Sequence, residues 1–201
     1  MSILEKLNDR QRKAAEKIEG ALLILAGAGS GKTRTITYRI AHMIQELGIS
    51  PYKILAVTFT NKAAKEMKER VEDLIGEDGR RTMVSTFHSF GVRLLRTYGD
   101  RLGYGANFTI YDTDDQKRVV KGIMKELVVK DKNLTEGIVV SLISKLKEDE
   151  ISPDEYEKSE NKYNMNAVVV AEIYRRYNIT LKNNNGMDFS DILINTAKLL
   201  E

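Results

Sequence analysis

The stretch that most constrains the fold is Leu22-Leu23-Ile24-Leu25-Ala26-Gly27-Ala28-Gly29-Ser30-Gly31-Lys32-Thr33: an apolar run, a glycine-rich turn, then Lys-Thr opening an amphipathic segment. This order predicts a strand, a phosphate-binding loop and a helix. The glycines allow a turn tight enough for the N–H groups of Ala28, Gly29, Ser30 and Gly31 to point at phosphate oxygens, and the helix start adds its dipole. Lys32 then reaches the β- and γ-phosphates, and Thr33 can ligate Mg²⁺. The form G-x-x-x-x-G-K-[ST] is not met to the letter, since its first position falls on Ala26. The competing reading is a turn that merely precedes a buried helix. Strand and helix signals on the required sides weigh against it. A bound nucleotide is therefore expected, with its use left open.

Ahead of this stretch stands Leu7-Asn8-Asp9-Arg10-Gln11, where Asn8 reads as an N-cap with Ala14, Ala15 and Ile18 as the apolar stripe behind it. Gln11, three residues after the cap, fits two roles. Its amide can close a capping box on the Asn8 N–H, or it can read adenine by donating to N7 and accepting from the exocyclic amine.

Beyond the loop, Ile36, Ile40, Met43, Ile44 and Leu47 recur at the spacing of a helix packed on a sheet, ended by Gly48. Residues 54–58 form an apolar run of strand length, and Asn61 can cap a helix burying Ala64, Met67, Val71 and Leu74. A turn at 76–79 leads to a third strand near 82–85. Three strands separated by helices predict parallel βαβ units.

The period then becomes almost entirely helical. Asp112-Thr113-Asp114-Asp115 opens a helix with Val119, Val120, Ile123, Met124 and Leu127 inside, and Thr135 opens another with Val139, Leu142, Ile143 and Leu146. Ser152-Pro153 reads as an N-cap with Pro at the first helical position. Asn166 starts a longer helix through Val170, Ile173, Tyr174 and Tyr177. The turn Asn183-Asn184-Asn185-Gly186 precedes a last one holding Ile192, Leu193 and Ala197.

Composition narrows the classes. With 42% hydrophobic and 30% charged residues, no Cys, and no apolar run near the ~20 residues of a membrane span, the chain reads as globular, neither a disulfide scaffold nor a transmembrane protein. The start, Met1-Ser2-Ile3-Leu4-Glu5-Lys6, does not resemble a signal peptide, so a cytoplasmic setting is expected. The net charge of +3 argues little by itself, but ten Lys/Arg against seven Asp/Glu at 53–101 match the whole excess. At 148–160 seven acids (Glu148, Asp149, Glu150, Asp154, Glu155, Glu157 and Glu160) stand against Lys158 alone, so that segment is not expected on a phosphate backbone. No internal repeat or low-complexity linker is visible.

Taken together, LNDRQ (7–11), LAGAGSGKTR (25–34), AVTFTNKAAKEM (56–67), STFHSF (85–90), FTIYDTDDQ (108–116) and MDFSDIL (187–193) resemble, in order and spacing, the N-terminal part of the UvrD/PcrA/Rep-type superfamily 1 DNA helicases. The blocks span almost the whole chain. The resemblance implies an α/β fold: a partial RecA-like P-loop NTPase parallel sheet with helices (part of lobe 1A) at 1–88, followed by a mostly helical inserted 1B lobe at 89–201, the boundary falling between 88 and 111.

It also implies roles. LNDRQ is similar to the family's Q motif, making Gln11 an adenine reader. Lys32 and Thr33 keep their phosphate and Mg²⁺ roles, and Arg34 is similar to the arginine lying against the base and sugar of ATP, where a guanidinium plane suits stacking. AVTFTNKAAKEM resembles motif Ia, where the family grips single-stranded DNA. Phe59 there would stack on a base, a contact worth ~1–3 kcal/mol whatever the sequence, and Thr60 and Asn61 would bond phosphate or sugar. Asn61 as a helix cap stays open. STFHSF resembles motif Ib, with Thr86 and His88 on the DNA backbone and Phe87 and Phe90 in the core. His88 has only His42 as company and there is no Cys, so a metal role finds no support. FTIYD could pass for a Walker B strand and Asp, but the family places a lobe boundary there.

What the resemblance calls for and the chain lacks is a later apolar strand ending in Asp-Glu, together with the rest of 1A and the second RecA-like domain. Phosphoryl transfer to water needs metal held by such an acid, an oriented nucleophile and positive charge on the γ-phosphate. The last helix runs through Leu199 and Leu200 without a C-cap signal, and a three-stranded parallel sheet has an open edge. The expectation is a truncated chain, inactive alone, from an ATP-driven motor that moves 3′ to 5′ on single-stranded DNA and opens duplex junctions in repair or replication. Two alternatives stand beside it: a stand-alone nucleotide- or DNA-binding module, and a fragment of a recombination helicase-nuclease.

Overall fold

The computed structural model describes residues 2–159 and 165–201, so Glu160 of the acidic run lies outside the described residues. The chain divides into two compact units, Met1–Phe87 and His88–Glu201.

In the first unit, helix α1 (Asp9–Glu16) starts at Asn8, whose side chain accepts the Gln11 N–H while Gln11 Oε1 accepts the Asn8 N–H. Two donors that the helix leaves unpaired are thus satisfied reciprocally. Helix α2 (Lys32–Gln45) buries Ile40, Ala41 and Ile44 in one cluster and Tyr38 beside Leu4, Leu7 and Ala15 in another. Ile36 and Leu47, expected in its stripe, are exposed: Ile36 because the buried face takes in Thr35, Thr37, Tyr38 and Ala41 instead, and Leu47 because the helix ends at Gln45. Strand β1 (Leu55–Thr58), helix α3 (Asn61–Ile75), the short helix α4 (Glu77–Arg81) and strand β2 (Met83–Thr86) complete the unit. The strands pair in parallel from Leu55 opposite Met83 to Thr58 opposite Thr86, and the apolar face of α3 buries Ala64, Met67, Val71 and Ile75.

Three expectations for this unit are corrected. The cap of α3 is Thr60, whose Oγ1 accepts the Ala63 N–H at 3.1 Å. Asn61 is already helical because the extended backbone ends one residue earlier. Residues 76–79 are more than a turn, since α4 begins at Glu77. The third difference is the largest: 21–27 forms no strand, and Leu23 and Leu25 are 80% and 85% exposed. A strand exists only by pairing its N–H and C=O groups with a neighbour, and β1 and β2 pair with each other alone. An apolar run supplies hydrophobicity without supplying a ladder. The sheet therefore has two strands instead of three.

Helix α5 (Phe87–Tyr98) opens at the boundary of the units. The second unit continues with β3 (Thr109–Tyr111), α6 (Thr113–Glu126), α7 (Glu136–Glu148), α8 (Pro153–Ser159), α9 (Met165–Asn183), β4 (Gly186–Asp188) and α10 (Phe189–Leu200). Its core is built from Val120, Ile123, Val139, Ile143, Ile173 and Tyr177, with a second cluster of Leu95, Phe108, Met187 and Ile192. Asp112, Thr135 and Asp188 cap α6, α7 and α10, and the Ser152 hydroxyl accepts the Glu155 N–H at the start of α8. The expected final helix is present, but Leu193 and Ala197 lie outside and Ile192 alone of the three is buried.

The parallel pair β3–β4, joining Thr109 to Gly186 and Tyr111 to Asp188, is absent from the sequence reading. Three residues per strand are too few for an alternation to register. Gly186 is required there: a Cβ would lie 2.4 Å from Tyr111 Cε2. Among the described residues no helix is long and apolar enough to cross a membrane.

Candidate functional site

The loop between 26 and 33 is shaped by two left-handed glycines, Gly29 at φ +73° and Gly31 at φ +85°. Gly31 is also the N-cap of α2, and no side chain caps that helix. Its first N–H groups are left to an outside acceptor, the condition for an anion site. Ser30 Oγ donates to the Gly27 carbonyl at 2.7 Å, closing the turn. Lys32 Nζ donates to the carbonyls of Ala26 at 2.7 Å and Gly27 at 2.8 Å, so the ammonium sits over the start of the loop. Thr33 follows in the first turn, half-buried. Glycines that turn the backbone, uncapped N–H groups and a folded-back lysine fit a polyphosphate, and the Thr33 hydroxyl is the hard oxygen that Mg²⁺ takes.

Gln11 meets this loop directly. Its Nε2 donates to the Ser30 carbonyl at 3.1 Å while its Oε1 holds the capping box, so one amide joins the start of α1 to the phosphate loop. Arg34 donates to the Lys6 carbonyl at 2.8 Å and lies over the Tyr38 ring at 5.4 Å. Gly31→Ala is expected to cost about 1–2 kcal/mol for an L-residue held left-handed. Its Cβ would also stand 2.6 Å from Gln11 Nε2 and push the amide off the loop. Chemical denaturation of Gly31→Ala, Gln11→Ala and the double variant checks this. The two changes should add to less than their sum, since both remove the same contact.

At the carboxyl end of the β1–β2 sheet, Thr58 and Thr86 are buried in register and each is followed by a phenylalanine. Phe59 is 92% exposed and Phe87 45% exposed, with ring centroids 5.7 Å apart and planes tilted by 46°. The core role expected of Phe87 is thereby overturned. The reason is its position, one residue past the end of β2, where the chain has left the sheet. Thr60 caps α3, and Asn61 is exposed in its first turn. His88 opens the second unit, half-buried, with its ring edge-on to Phe189 at 5.7 Å. Phe90 is half-buried.

Sequence reasoning missed one cluster in the second unit. Lys147 of α7 is buried and donates to Asp188 Oδ2 at 2.8 Å and to Asp191 Oδ1 at 2.7 Å, while the Tyr177 hydroxyl donates to Asp188 Oδ2 at 2.9 Å. Burial pushes the Asp191 carboxyl up, against the pull of the Lys147 ammonium. Burial likewise raises the Tyr177 hydroxyl and pushes Tyr174 up to about 12. The only hint in the sequence is the pair of acids in MDFSDIL; nothing marks Lys147 as inward.

A profile of the UvrD/REP helicase N-terminal domain matches residues 7–201, through both units. The chain belongs to the UvrD/REP helicase family. Among curated relatives, the ATP-dependent DNA helicase PcrA of Staphylococcus epidermidis (strain ATCC 35984) is 44% identical over 200 residues, covering 100% of this chain and 27% of that protein. The ATP-dependent DNA helicase PcrA of Staphylococcus aureus (strain Mu50) is 43% identical, with the same coverage. This UvrD/REP helicase chain thus spans 27% of the length of the relatives it matches.

Proposed function

We propose that this chain is the nucleotide-holding N-terminal part of an ATP-dependent DNA helicase, the first unit serving as part of a RecA-like 1A core and the second as the 1B lobe. The loop residues Ala28 to Gly31 and Lys32 cradle the phosphates of ATP, Thr33 holds Mg²⁺, Gln11 reads adenine and Arg34 lies against base and sugar. The observation that carries this reading is the uncapped start of α2, with Lys32 and the Gln11 amide both on the loop that precedes it.

Single-stranded DNA is the second ligand. Phe59 stacks on a base and Thr60, Asn61 and Thr86 contact the backbone beside it; His88, in the second unit, contacts the backbone as well. Phe59 supports this most directly, because an almost fully exposed ring contributes nothing to a core and every base offers a face to it. ATP binding and release would alternate these contacts with those of a second motor domain, moving the strand 3′ to 5′ and opening the duplex at a junction.

The strands of the first unit end at Thr58 and Thr86, neither followed by the acidic pair that would hold metal and activate water. Phosphate release by the 201-residue chain should therefore stay at background with or without single-stranded DNA. DNA-stimulated release that Lys32→Ala abolishes would overturn that statement. Binding itself is tested by titrating fluorescent oligo(dT) at two salt concentrations. Affinity should fall as salt rises, and Phe59→Ala should weaken it about 5- to 150-fold with an unchanged unfolding curve. A salt-independent affinity would remove the backbone grip.

A further inference from the structure

The ends of β1 and β2 carry the same dipeptide, Thr58-Phe59 and Thr86-Phe87, in the same register. Parallel pairing of Thr58 with Thr86 buries both hydroxyl-bearing residues and carries the next residue of each strand off the same sheet edge. The two rings come to 5.7 Å, within the range where aromatic pairs attract, yet neither ring belongs to the buried clusters of the first unit. Two adjacent exposed aromatics at the carboxyl edge of a parallel sheet form an apolar step where such sheets receive ligands. Three residues after Phe59, Lys62 is exposed in the first turn of α3 and has no ion pair among the described residues. Rings for bases with an uncommitted cation at a helix start match the chemistry of a nucleic-acid strand.

We propose that Phe87 is a second stacking ring, so that Phe59 and Phe87 together engage two successive bases of single-stranded DNA while Lys62 faces the phosphate between or next to them. This rests on the reading of Phe59 as a DNA contact and extends it from one base to a two-base step. The 46° tilt between the ring planes gives the step its character. Two bases stacked on each other are parallel, whereas bases lying flat on these two rings are not. The step therefore favours a dinucleotide already unstacked, and single-stranded over duplex DNA. Phe87 also braces the Phe59 ring, which has no other aromatic neighbour among the described residues.

The test is equilibrium binding of the 201-residue chain to fluorescent oligo(dT), comparing wild type with Phe59→Ala, Phe87→Ala, Phe87→Leu and Phe87→Trp, each checked by its thermal unfolding curve. Phe87→Ala and Phe87→Leu should each weaken binding about 5- to 150-fold, the size of one lost base stack, and Phe87→Trp should retain it. Leucine keeps the apolar bulk and removes the aromatic face, so it decides the matter even where alanine fails to fold. Wild-type affinity in Phe87→Leu would overturn the proposal, because the ring would then only fill space. Loss of binding in Phe59→Ala with none in the Phe87 variants would overturn it and leave the Phe59 contact standing. No saturable binding by wild type would remove the Phe59 reading and this one with it.

Discussion

Replacing Lys147 by Ala is expected to destabilise the His88–Glu201 unit by about 3–5 kcal/mol, the range for breaking a buried ion pair on one side. The ammonium is the cation for two carboxylates, Asp188 at 2.8 Å and Asp191 at 2.7 Å, and these sit at the turn from β4 into α10. Removing it leaves two negative charges near each other in a site that water scarcely reaches. The Tyr177 hydroxyl continues to donate to Asp188, which offsets only part of the loss.

The same residues set a sign for the pH dependence. The Asp191 carboxyl is already raised by burial, so the folded chain binds that proton more tightly than the unfolded one does. Losing the cation raises it further. Folding of Lys147→Ala should therefore recover in part as the pH falls from above the raised folded value toward the unfolded value near 3.8. Urea denaturation of both proteins at pH 8 and pH 5 measures this. A gap below about 1 kcal/mol at pH 8 would show that the pair contributes no more than an exposed one.

Helix starts at three capping residues ahead of a periodic apolar stripe were legible in the sequence, while at α3 the cap falls one residue before the expected Asn61. Asn8, Asp112 and Thr135 each begin a helix as expected, because the cap is a local interaction between residues three apart. Sheet membership was not legible in the same way. Leu22 to Leu25 look more like a strand than Thr109 to Tyr111 do, yet only the latter pair, since pairing depends on a partner far along the chain: Thr109 meets Gly186. Side-chain direction was lost for the same reason. Phe87 is expected in the core from its residue type, yet the tertiary arrangement leaves it 45% exposed, and nothing local to Lys147 signals that it is buried.

The phosphate loop was the most legible part of the candidate site, because its backbone demands specific residues. Positive φ at Gly29 and Gly31 selects glycine, and the uncapped start of α2 follows from there being no Ser, Thr, Asp or Asn at Gly31. The contact of Gln11 with the Ser30 carbonyl was not legible. It joins residues on two separate elements, through the same amide whose oxygen holds the capping box on Asn8.

Lys32→Ala is the second large effect. In wild type the ammonium rests on the Ala26 and Gly27 carbonyls, both exposed contacts, so truncation should change stability by no more than about 0.5 kcal/mol. Against a bound polyphosphate the same group supplies charge-assisted hydrogen bonds worth about 1.5–3 kcal/mol each, or roughly 10- to 150-fold in affinity for a single one. The central claim, that this chain is the nucleotide-holding part of a UvrD/REP helicase, is tested most directly by titrating a fluorescent adenine nucleotide with Mg²⁺ into wild type and Lys32→Ala. One saturable site in wild type, weakened at least tenfold in the variant with an unchanged unfolding curve, is the predicted result; equal binding by the two proteins, or none by wild type, would contradict it.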